Sequence, residues 1–516
     1  MFSRAITLIA LAMLTLAARA ETSPLASSPS EFVRAQAASG VKWQVWDAAT
    51  LAQAKQQNKS IYVFIGSPLS ELTRATINQT FTSEKTVAWL NENFFCLFVD
   101  ADAQPDVAAL GQHFITTVKQ LKGSPVHLWL TPDTLQPYDG ANYLPPSEEW
   151  GKPGFLKAAR AALDTWTVDP ARARALATEA LDMMRLPPVD TNAPLDIEAK
   201  LAAAAKAWVA AADPVNGGFG TAPKLPEPEL IRFLLTRGDE AREAAIKAAR
   251  ALVNGALRDP VDGGFYRRCI DEAWKEPYFQ KTLADQARIA LALLDAADAA
   301  KDDKLRAAGI AALDFALKEL RNPNGSLAAA LDGTLEENSD PTKRPTFVKA
   351  GVAGGGTVCQ LIMAIYKSGQ KRLTAQIQKI ADGAIPAVGV EPLYLLQSHS
   401  VATATEPTPA DLLHAVLMGK VGGEESKPIG EMIVMANLTY FEPETGVYMA
   451  TPKKLPPGIA ARVPASGETP SAEVLALLAG VDAKTADLIR RNLMHQIEYD
   501  ELPPGDILLG LSQTQK

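Results

Sequence analysis

The segment at residues 60–81 holds the first residues whose types and positions suit chemistry. Ile61–Ile65 is a continuous apolar run, which is typical of a strand covered on both faces. Gly66–Pro68 ends the run, because glycine allows positive φ and proline lacks a backbone donor. A turn between strand and helix is where an α/β domain often places a reactive group, yet this turn carries only Ser70-Glu71-Leu72-Thr73. The residue types leave open whether the turn performs a different chemistry or none.

The elements around this turn form a recognisable order. Hydrophobic periodicity and capping residues predict α-β-α-β-α-β-β-α over a domain at residues 41–167, which is the order of a thioredoxin-like fold. The predicted elements include a helix at Ala48–Gln57, strands at Phe94–Asp100 and Val126–Thr131, a helical face from Val107 to Leu121 and a closing helix at Phe155–Trp166.

An alanine-rich, helical region follows at residues 168–400. Amphipathic stretches alternate with Gly/Pro loops, and two loops share the pattern DPVxGGF at residues 213–219 and 259–265, 46 residues apart. That period suits an array of helical hairpins, so we predict an all-α (α/α)6 toroid of the six-hairpin type. Residues 401–516 are predicted to complete the toroid or to pack on it.

The N-terminus has the pattern of an export signal. Arg4 precedes the apolar run Ala5–Ala18, and Ala18-Arg19-Ala20 suits cleavage after Ala20, so residues 1–20 are predicted to be a signal peptide. Residues 21–40 are rich in Ser, Ala and Pro and are predicted to be a linker. We therefore expect a periplasmic or secreted protein with no membrane span after cleavage.

Charge and cysteine content exclude several function classes. The chain has 516 residues and a net charge of −8, and an acidic protein is a poor candidate for nucleic-acid binding. Cys96, Cys269 and Cys359 form no CxxC pair, and the five histidines have no metal-ligand spacing. Cys96 lies in the apolar run FFCLFVD and is expected to be a buried hydrophobe. We expect no metal and no cofactor.

Several motifs resemble the thioredoxin-domain family related to spermatogenesis-associated thioredoxin-like protein. Residues 65–81 align without a gap to the family's IGYSTCHWCHVMERESF, and residues 99–106 and 123–133 resemble its VDREERPD and GGWPLNVFLTPD. Residues 217–226 match GGFGxAPKFP, and residues 263–287 resemble GGGFxRYSVDxxWxxPHFEKMLYDQA. The resemblance implies a thioredoxin-like domain followed by an (α/α)6 barrel like that of the N-acylglucosamine 2-epimerases.

The departures from the family pattern concern its reactive groups. The two family cysteines fall on Ser70 and Thr73, and a hydroxyl cannot form a disulfide. We therefore predict no thiol–disulfide exchange at this turn. Pro125 stands where thioredoxin-like folds carry a cis-proline facing the turn. It either helps to hold an extended peptide or only shapes a loop.

The barrel has also lost ionisable residues. Family PHFEKM reads Pro277-Tyr278-Phe279-Gln280-Lys281-Thr282 here, so a His and a Glu are replaced by residues that do not exchange protons near neutral pH. Asp271 and Asp285 suit a glycosidase-like carboxylate pair, or they are structural, with Asp285 as a cap or an ion-pair partner of Lys281. Aromatic residues at 266, 274 and 278 suit either sugar stacking or packing between helices. The candidate ligand-binding residues are Arg267, Arg268, Asp271, Trp274, Tyr278, Lys281, Asp285 and Asp332.

Joint loss at two separate sites favours a non-catalytic role. We expect a binding protein or pseudoenzyme that takes a peptide or protein partner at the thioredoxin-like domain and a sugar-like ligand in the toroid. The alternative is a carbohydrate-active enzyme, an epimerase or glycoside hydrolase, that uses the acidic residues of the toroid cavity.

Overall fold

A computed structural model of the chain describes residues 23–28, 30–192, 194–323, 326–333, 344–353, 355–384, 441–444, 447–448, 483–497, 500 and 502–513. The chain divides into two compact units. Unit 1 comprises Met1–Ala101 and Phe114–Asp182, and unit 2 comprises Asp102–His113 and Met183–Lys516. None of the described helices has the length and apolarity of a membrane span. The predicted signal peptide lies outside the described residues.

Unit 1 is built on a four-stranded sheet. Its strands are β1 (Ile61–Gly66), β2 (Phe95–Asp100), β3 (Val126–Leu130) and β4 (Pro137–Ala141), in the order β2-β1-β3-β4. β1 pairs parallel with β2 and antiparallel with β3, and β3 pairs antiparallel with β4. The helices of residues 31–183 are α1 (Glu31–Ala35), α2 (Ala48–Gln57), α3 (Glu71–Ala75), α4 (Glu84–Asn93), α5 (Pro105–Thr117), α6 (Phe155–Val168) and α7 (Pro170–Met183). The predicted element order is confirmed from α2 to α6, except that two helices, α3 and α4, lie between β1 and β2.

The centre of unit 1 is an aromatic core. Every residue of β1 and β2 is buried, as their continuous apolar sequences predict. Within this core the Tyr62 hydroxyl lies 2.7 Å from Nδ1 of His127. Burial lowers the pKa of His127 to about 3. The imidazole is therefore neutral at physiological pH and serves as a hydrogen-bonding partner inside the core.

The predicted linker at residues 21–40 is wrong for its described part. This segment forms a 3₁₀ turn at Pro24–Ser27 and then α1. Leu25 and Val33 are buried in the core of unit 1, and the Ser30 hydroxyl donates to the Asp100 carboxylate at 2.5 Å. Two apolar anchors spaced eight residues apart in a Ser/Ala/Pro-rich context carry little periodicity, so composition gave the wrong prediction.

The helices of unit 2 form two layers. They are α8 (Ile197–Ala210), α9 (Pro228–Leu235), α10 (Asp239–Asn254), α11 (Leu283–Ala300), α12 (Asp303–Glu319), α13 (Gly355–Ser368), α14 (Lys371–Ala384), α15 (Ala483–Gln496) and α16 (Gly505–Gln513). One layer runs α16-α9-α11-α13, and the other runs α8-α10-α12-α14. We call the first the inner layer, because α11, its most buried member, contacts helices of both layers.

The last described helix packs against the first hairpin of unit 2. A side chain at Gly505 would meet the backbone of Leu230 on α9 at 2.5 Å, so the close approach of α16 requires glycine. The indole of Trp208 on α8 donates to the Pro503 carbonyl at 2.8 Å. Contact between the end and the beginning of the helical series is what a ring requires.

The loops that lead from outer to inner helices share one design. In the DPVxGGF loops the residue before the motif bridges to its Phe: Ala212 to Phe219 and Arg258 to Phe265. A third, one residue shorter, is RNPNGSL, where Arg321 bridges to Leu327. The same pairing recurs elsewhere in the sequence FEPETGVY, where Phe441 pairs with Tyr448 in the hairpin β8 (Phe441–Glu442) and β9 (Val447–Tyr448). The sequence comparison detected only two of these four loops.

The remaining strands of unit 2 form a small antiparallel sheet. Its order is β5 (Gln280–Thr282), β6 (Ala328–Asp332) and β7 (Val348–Val352). The predicted fold class, an α/β thioredoxin-like domain followed by an all-α hairpin toroid, is confirmed. Most of residues 401–516, predicted to complete the toroid or to pack on it, lie outside the described residues.

Candidate functional sites

The turn after β1 is held by the hydroxyl of Ser70. Ser70 is the N-cap of α3, and its Oγ accepts a hydrogen bond from the Thr73 backbone NH at 3.2 Å. This bond satisfies one of the unpaired NH groups at the start of the helix. Because the hydroxyl is already used as a cap, it completes the local backbone structure of the turn.

Thr73 is fully buried beneath the same turn. Its hydroxyl lies 3.4 Å from the Ser124 hydroxyl, and the Ser124–Pro125 peptide bond is cis. Its methyl group would be 2.6 Å from a side chain at Gly66, so Thr73 fills the space at the end of β1. The two positions that the family resemblance assigns to a redox pair thus hold one capping hydroxyl and one packed threonine next to Pro125.

Two of the three cysteines, Cys96 and Cys269, are unsuited to supply a thiolate. Both are buried, and neither forms a disulfide with a residue that the structure describes. Burial raises the pKa of each thiol to about 12. A thiol with that pKa is protonated at neutral pH and is a poor nucleophile. The expectation that Cys96 is a buried hydrophobe is confirmed.

The first two residues of α3, which follow the turn in unit 1, are exposed to solvent. Glu71 is exposed, and the side chain of Leu72 is 43% exposed. Arg74 donates from Nη1 to the Pro68 carbonyl at 2.8 Å, which fastens the loop to the first turn of α3. An exposed leucine on a fixed turn suits contact with another chain.

In unit 2, Asp271 organises its own loop. Its carboxylate accepts hydrogen bonds from the backbone NH groups of Ala273, Lys275 and Glu276 at 2.7–3.2 Å. Burial opposes ionisation, but these hydrogen bonds outweigh it and lower the pKa of Asp271. The carboxylate is therefore ionised and occupied by backbone donors.

Two of the three candidate aromatic residues are not available for sugar stacking. Trp274 is 2% exposed, and its indole donates to the Gly217 carbonyl at 3.1 Å. Tyr266 is 4% exposed and donates from its hydroxyl to Asp259 at 2.8 Å. Only Tyr278 is half-buried, and the guanidinium of Arg268 lies 4.2 Å from its ring centre. The packing interpretation holds for the first two rings.

Lys281 is fully buried in an ion-pair cluster. Its ammonium donates to Asp259 at 2.6 Å and to Asp262 at 2.7 Å. Arg344 binds the same two carboxylates at 2.8 and 2.6 Å. Lys281 therefore pairs with the DPVDGGF loop and not with Asp285, and it is inaccessible to a ligand. Asp332 is also fully buried and accepts from the Gln280 amide at 2.9 Å.

Thr282, and not Asp285, caps the helix that contains Asp285, so the predicted cap role of Asp285 is wrong. The Thr282 hydroxyl donates to the Asp285 carboxylate at 2.6 Å and accepts from its backbone NH at 3.0 Å. Burial raises the pKa of Asp285, while the Thr282 hydrogen bond and the charges of Arg267 and Arg288 act in the opposite direction. Arg267, exposed, donates to the Gln280 side chain at 3.0 Å.

The sequence reasoning missed three residues that lie together on the inner layer. Arg288 on α11 lies 3.5 Å from Glu229 on α9 and donates to Gln360 on α13 at 3.2 Å. One guanidinium thus connects three adjacent inner helices near their N-terminal ends. Burial raises the pKa of Glu229, and Arg288 opposes this. The three-residue spacing of Asp285 and Arg288 on one helical face was the signal available in the sequence.

Sequence comparisons support the resemblance in both units. Residues 22–185 match a family model described as Thioredox_DsbH, protein of unknown function, DUF255. Spermatogenesis-associated protein 20 of Mus musculus is 27% identical over 321 residues, which is 60% of this chain and 40% of that protein. Uncharacterized protein B0495.5 of Caenorhabditis elegans is 25% identical over 276 residues, which is 51% of this chain and 37% of that protein. The chain thus spans about two fifths of the length of these relatives.

Two sugar epimerases of known structure superimpose in part on this chain. Cellobiose 2-epimerase from Spirochaeta thermophila superimposes with a TM-score of 0.42 at 14% identity, covering 63% of this chain and 99% of that chain. A sugar epimerase from a ruminal bacterium gives a TM-score of 0.41 at 15% identity, covering 59% of this chain and 86% of that one.

Proposed function

We propose that this protein is a non-catalytic binding protein whose thioredoxin-like unit takes a peptide or protein partner. The observation that carries the proposal is the structural use of both hydroxyls at the resembled redox positions. Ser70 Oγ caps α3 and Thr73 is buried against Gly66 and Ser124. A turn of this kind keeps a shaped surface while lacking a nucleophilic thiol.

The proposal extends to a sugar-like ligand in the toroid and to export. In unit 2 the candidate carboxylates Asp271 and Asp285 already accept local hydrogen bonds, which favours binding over acid–base chemistry. Arg288, Glu229 and Gln360 are the polar groups proposed to contact such a ligand. The N-terminal sequence pattern supports export to the periplasm or medium.

Insulin reduction tests the redox part. The full chain is expected to reduce insulin disulfides no faster than buffer. The matched double variant Ser70→Cys/Thr73→Cys, which places thiols at the resembled redox positions, is expected to exceed the unchanged protein. Reduction by the unchanged protein above the buffer rate would refute the proposal.

A peptide-array measurement tests partner binding at the turn. Leu72→Glu is expected to weaken binding of the captured peptides by about tenfold, because it places a charge on the exposed apolar contact. Val168→Glu, at a side chain in unit 1 that is 82% exposed, is the control and should leave binding unchanged. Equal binding by both variants would exclude the turn as the docking surface.

A sugar screen tests the toroid. Calorimetry is expected to show binding without chemical conversion, with Arg288→Ala reducing affinity and the exposed-site control Lys206→Ala having no effect. Conversion of a sugar that is abolished by Asp285→Asn would favour the enzyme alternative. Cell fractionation of the chain with and without residues 1–20 tests export.

A further inference from the structure

A large cleft lies on unit 2, beside the buried ion-pair cluster of Lys281. It has a volume of about 1380 Å³ and is lined by the DPVDGGF loop, the end of α12, the strands β6 and β7 and the start of α14. Small-molecule pockets usually have volumes of about 300–1000 Å³. The size therefore suits a segment of chain better than a single small ligand.

The lining carries five cations and three carboxylates. Each carboxylate is already paired: Asp314 with Arg372 in a two-bond contact of 2.5 and 2.7 Å, Glu319 with Lys318 at 2.8 Å, and Asp262 with both Arg344 and the buried Lys281. The described lining residues thus carry a net positive charge within a protein whose net charge is −8. A local excess of this sign attracts anions.

Two of the cations are free to bind an anion. Arg321 is exposed, and its guanidinium has neither a hydrogen bond nor an ion pair with any residue that the structure describes. Lys349 is also exposed, and its ammonium donates to the Arg321 carbonyl, so the two residues are neighbours. Among the residues that the structure describes, neither side chain has a carboxylate partner, so both positive charges can attract an acidic group.

Apolar groups and an amide lie beside this pair. Val261 is 71% exposed at the cleft edge, and the ring of Phe347 is half-buried in its wall. The exposed amide of Gln376 has no hydrogen-bond partner in the described part of the chain and offers both a donor and an acceptor. Cations, apolar side chains and an amide together match the side chains and backbone of a peptide.

We propose that this cleft binds an acidic, extended peptide segment of a partner protein, with Arg321 and Lys349 pairing with its carboxylates. The charge excess, the unpaired cations and the volume each support that occupant. The site is separate from the turn of unit 1 and does not depend on the function proposed for it.

Fluorescence anisotropy of the full chain with labelled peptides tests the proposal. A Glu/Leu peptide is expected to bind, and the same peptide with Lys in place of Glu is not. Arg321→Ala/Lys349→Ala is expected to raise the Kd of the acidic peptide by about tenfold or more, because two charge-assisted contacts are lost. Both residues are exposed, so the double variant should keep the circular dichroism spectrum and unfolding midpoint of the parent protein.

Lys206→Ala/Lys304→Ala removes the same charge from exposed sites outside the cleft and is expected to leave the Kd unchanged. Raising the salt concentration should weaken peptide binding to the parent protein. Absence of acidic-peptide binding, or an equal loss in both double variants, would overturn the proposal. Binding only of inorganic phosphate, or only of an acidic polysaccharide such as polygalacturonate, would overturn the peptide assignment.

Discussion

The two DPVxGGF loops of unit 2 have the same backbone and different electrostatics. In each, the Asp backbone NH donates to the carbonyl of the second glycine at 2.9 Å, from Asp213 to Gly218 and from Asp259 to Gly264. Each Asp carboxylate also binds a lysine that is 0% exposed: Lys224 in the first loop and Lys281 in the second. The motif therefore determines both the turn and the demand for a buried cation.

The loops differ at the fourth position of the motif. Asn216 in the first loop donates its amide to Asp213 at 3.0 Å, so one carboxylate meets one lysine. Asp262 in the second loop adds a carboxylate, and Arg344 joins Lys281 to balance it. In each loop the number of carboxylates thus equals the number of cations bound to them, because an unpaired charge is costly where water is excluded.

Removal of a buried lysine is expected to have the largest effect. Lys281→Met leaves two carboxylates with only Arg344 and should lower the free energy of unfolding by about 3–5 kcal/mol. Lys224→Met should cost less, because Asp213 is 13% exposed and can be hydrated, whereas Asp259 is 1% exposed. Urea denaturation of both variants measures the order. An equal loss of unfolding free energy in both variants would show that the burial of the aspartate does not determine the effect.

The core of unit 1 and the DPVxGGF loops are expected to lose stability in different ranges of acid pH. Burial lowers the pKa of His127 to about 3, so the unfolded chain takes up this proton first. The contribution of neutral His127 to the free energy of unfolding is complete above about pH 6.5 and falls as the pH decreases. The loss is about 2 kcal/mol at pH 5.

The loop aspartates act at lower pH. Burial opposes their ionisation, but the lysine hydrogen bonds outweigh it, so the pKa values of Asp213 and Asp259 are lowered. Their stabilisation is present above about pH 4 and lost below it. His127→Gln should remove the loss between pH 6.5 and pH 4 in urea titrations and leave the loss below pH 4. A slope that persists in this variant would contradict the assignment to His127.

Exchange of the fourth residue tests the comparison directly. Asn216→Asp replaces a donor to Asp213 by a second carboxylate and should lower the free energy of unfolding by on the order of 1–2 kcal/mol at neutral pH. The reverse change, Asp262→Asn, removes a partner of both Lys281 and Arg344. Combining Asp262→Asn with Arg344→Met should restore part of the loss, since the charges again balance. Additive losses in that double variant, measured by urea denaturation, would reject one-to-one pairing.

Substitution of Ser70 in the turn of unit 1 is expected to have the smallest effect on the free energy of unfolding. Ser70→Ala removes a neutral cap and should cost about 1 kcal/mol. Unlike the loop carboxylates, this hydroxyl does not titrate, so the cost should be the same at pH 7 and pH 5. Ser67→Ala is a control in the same turn. The Ser67 hydroxyl accepts a hydrogen bond from the backbone NH of Leu69, which precedes the helix. A pH-dependent cost for Ser70→Ala would indicate that a charged group shares the cap.

Local sequence patterns were enough where the signal lies within one element. The apolar run before Gly66 predicted β1, and the helix predicted at Ala48–Gln57 has the observed limits of α2. Local patterns failed where contacts decide the structure. Leu25 and Val33 belong to the core although their segment resembles a linker. The loops RNPNGSL and FEPETGVY share the hairpin pairing with too few identical residues to be detected.

The sequence by itself determined the chemistry that the turn of unit 1 lacks, because no fold can make a disulfide from Ser70 and Thr73. It also determined that two loops share a turn, because glycines at fixed places allow the required positive φ. Tertiary structure decided the partners. Lys224 lies 11 residues from Asp213, while Lys281 lies 22 residues from Asp259, and Arg288 meets Glu229 and Gln360 from other helices. Partners of a buried charge depend on which side chains are close in space, and sequence spacing does not record that distance.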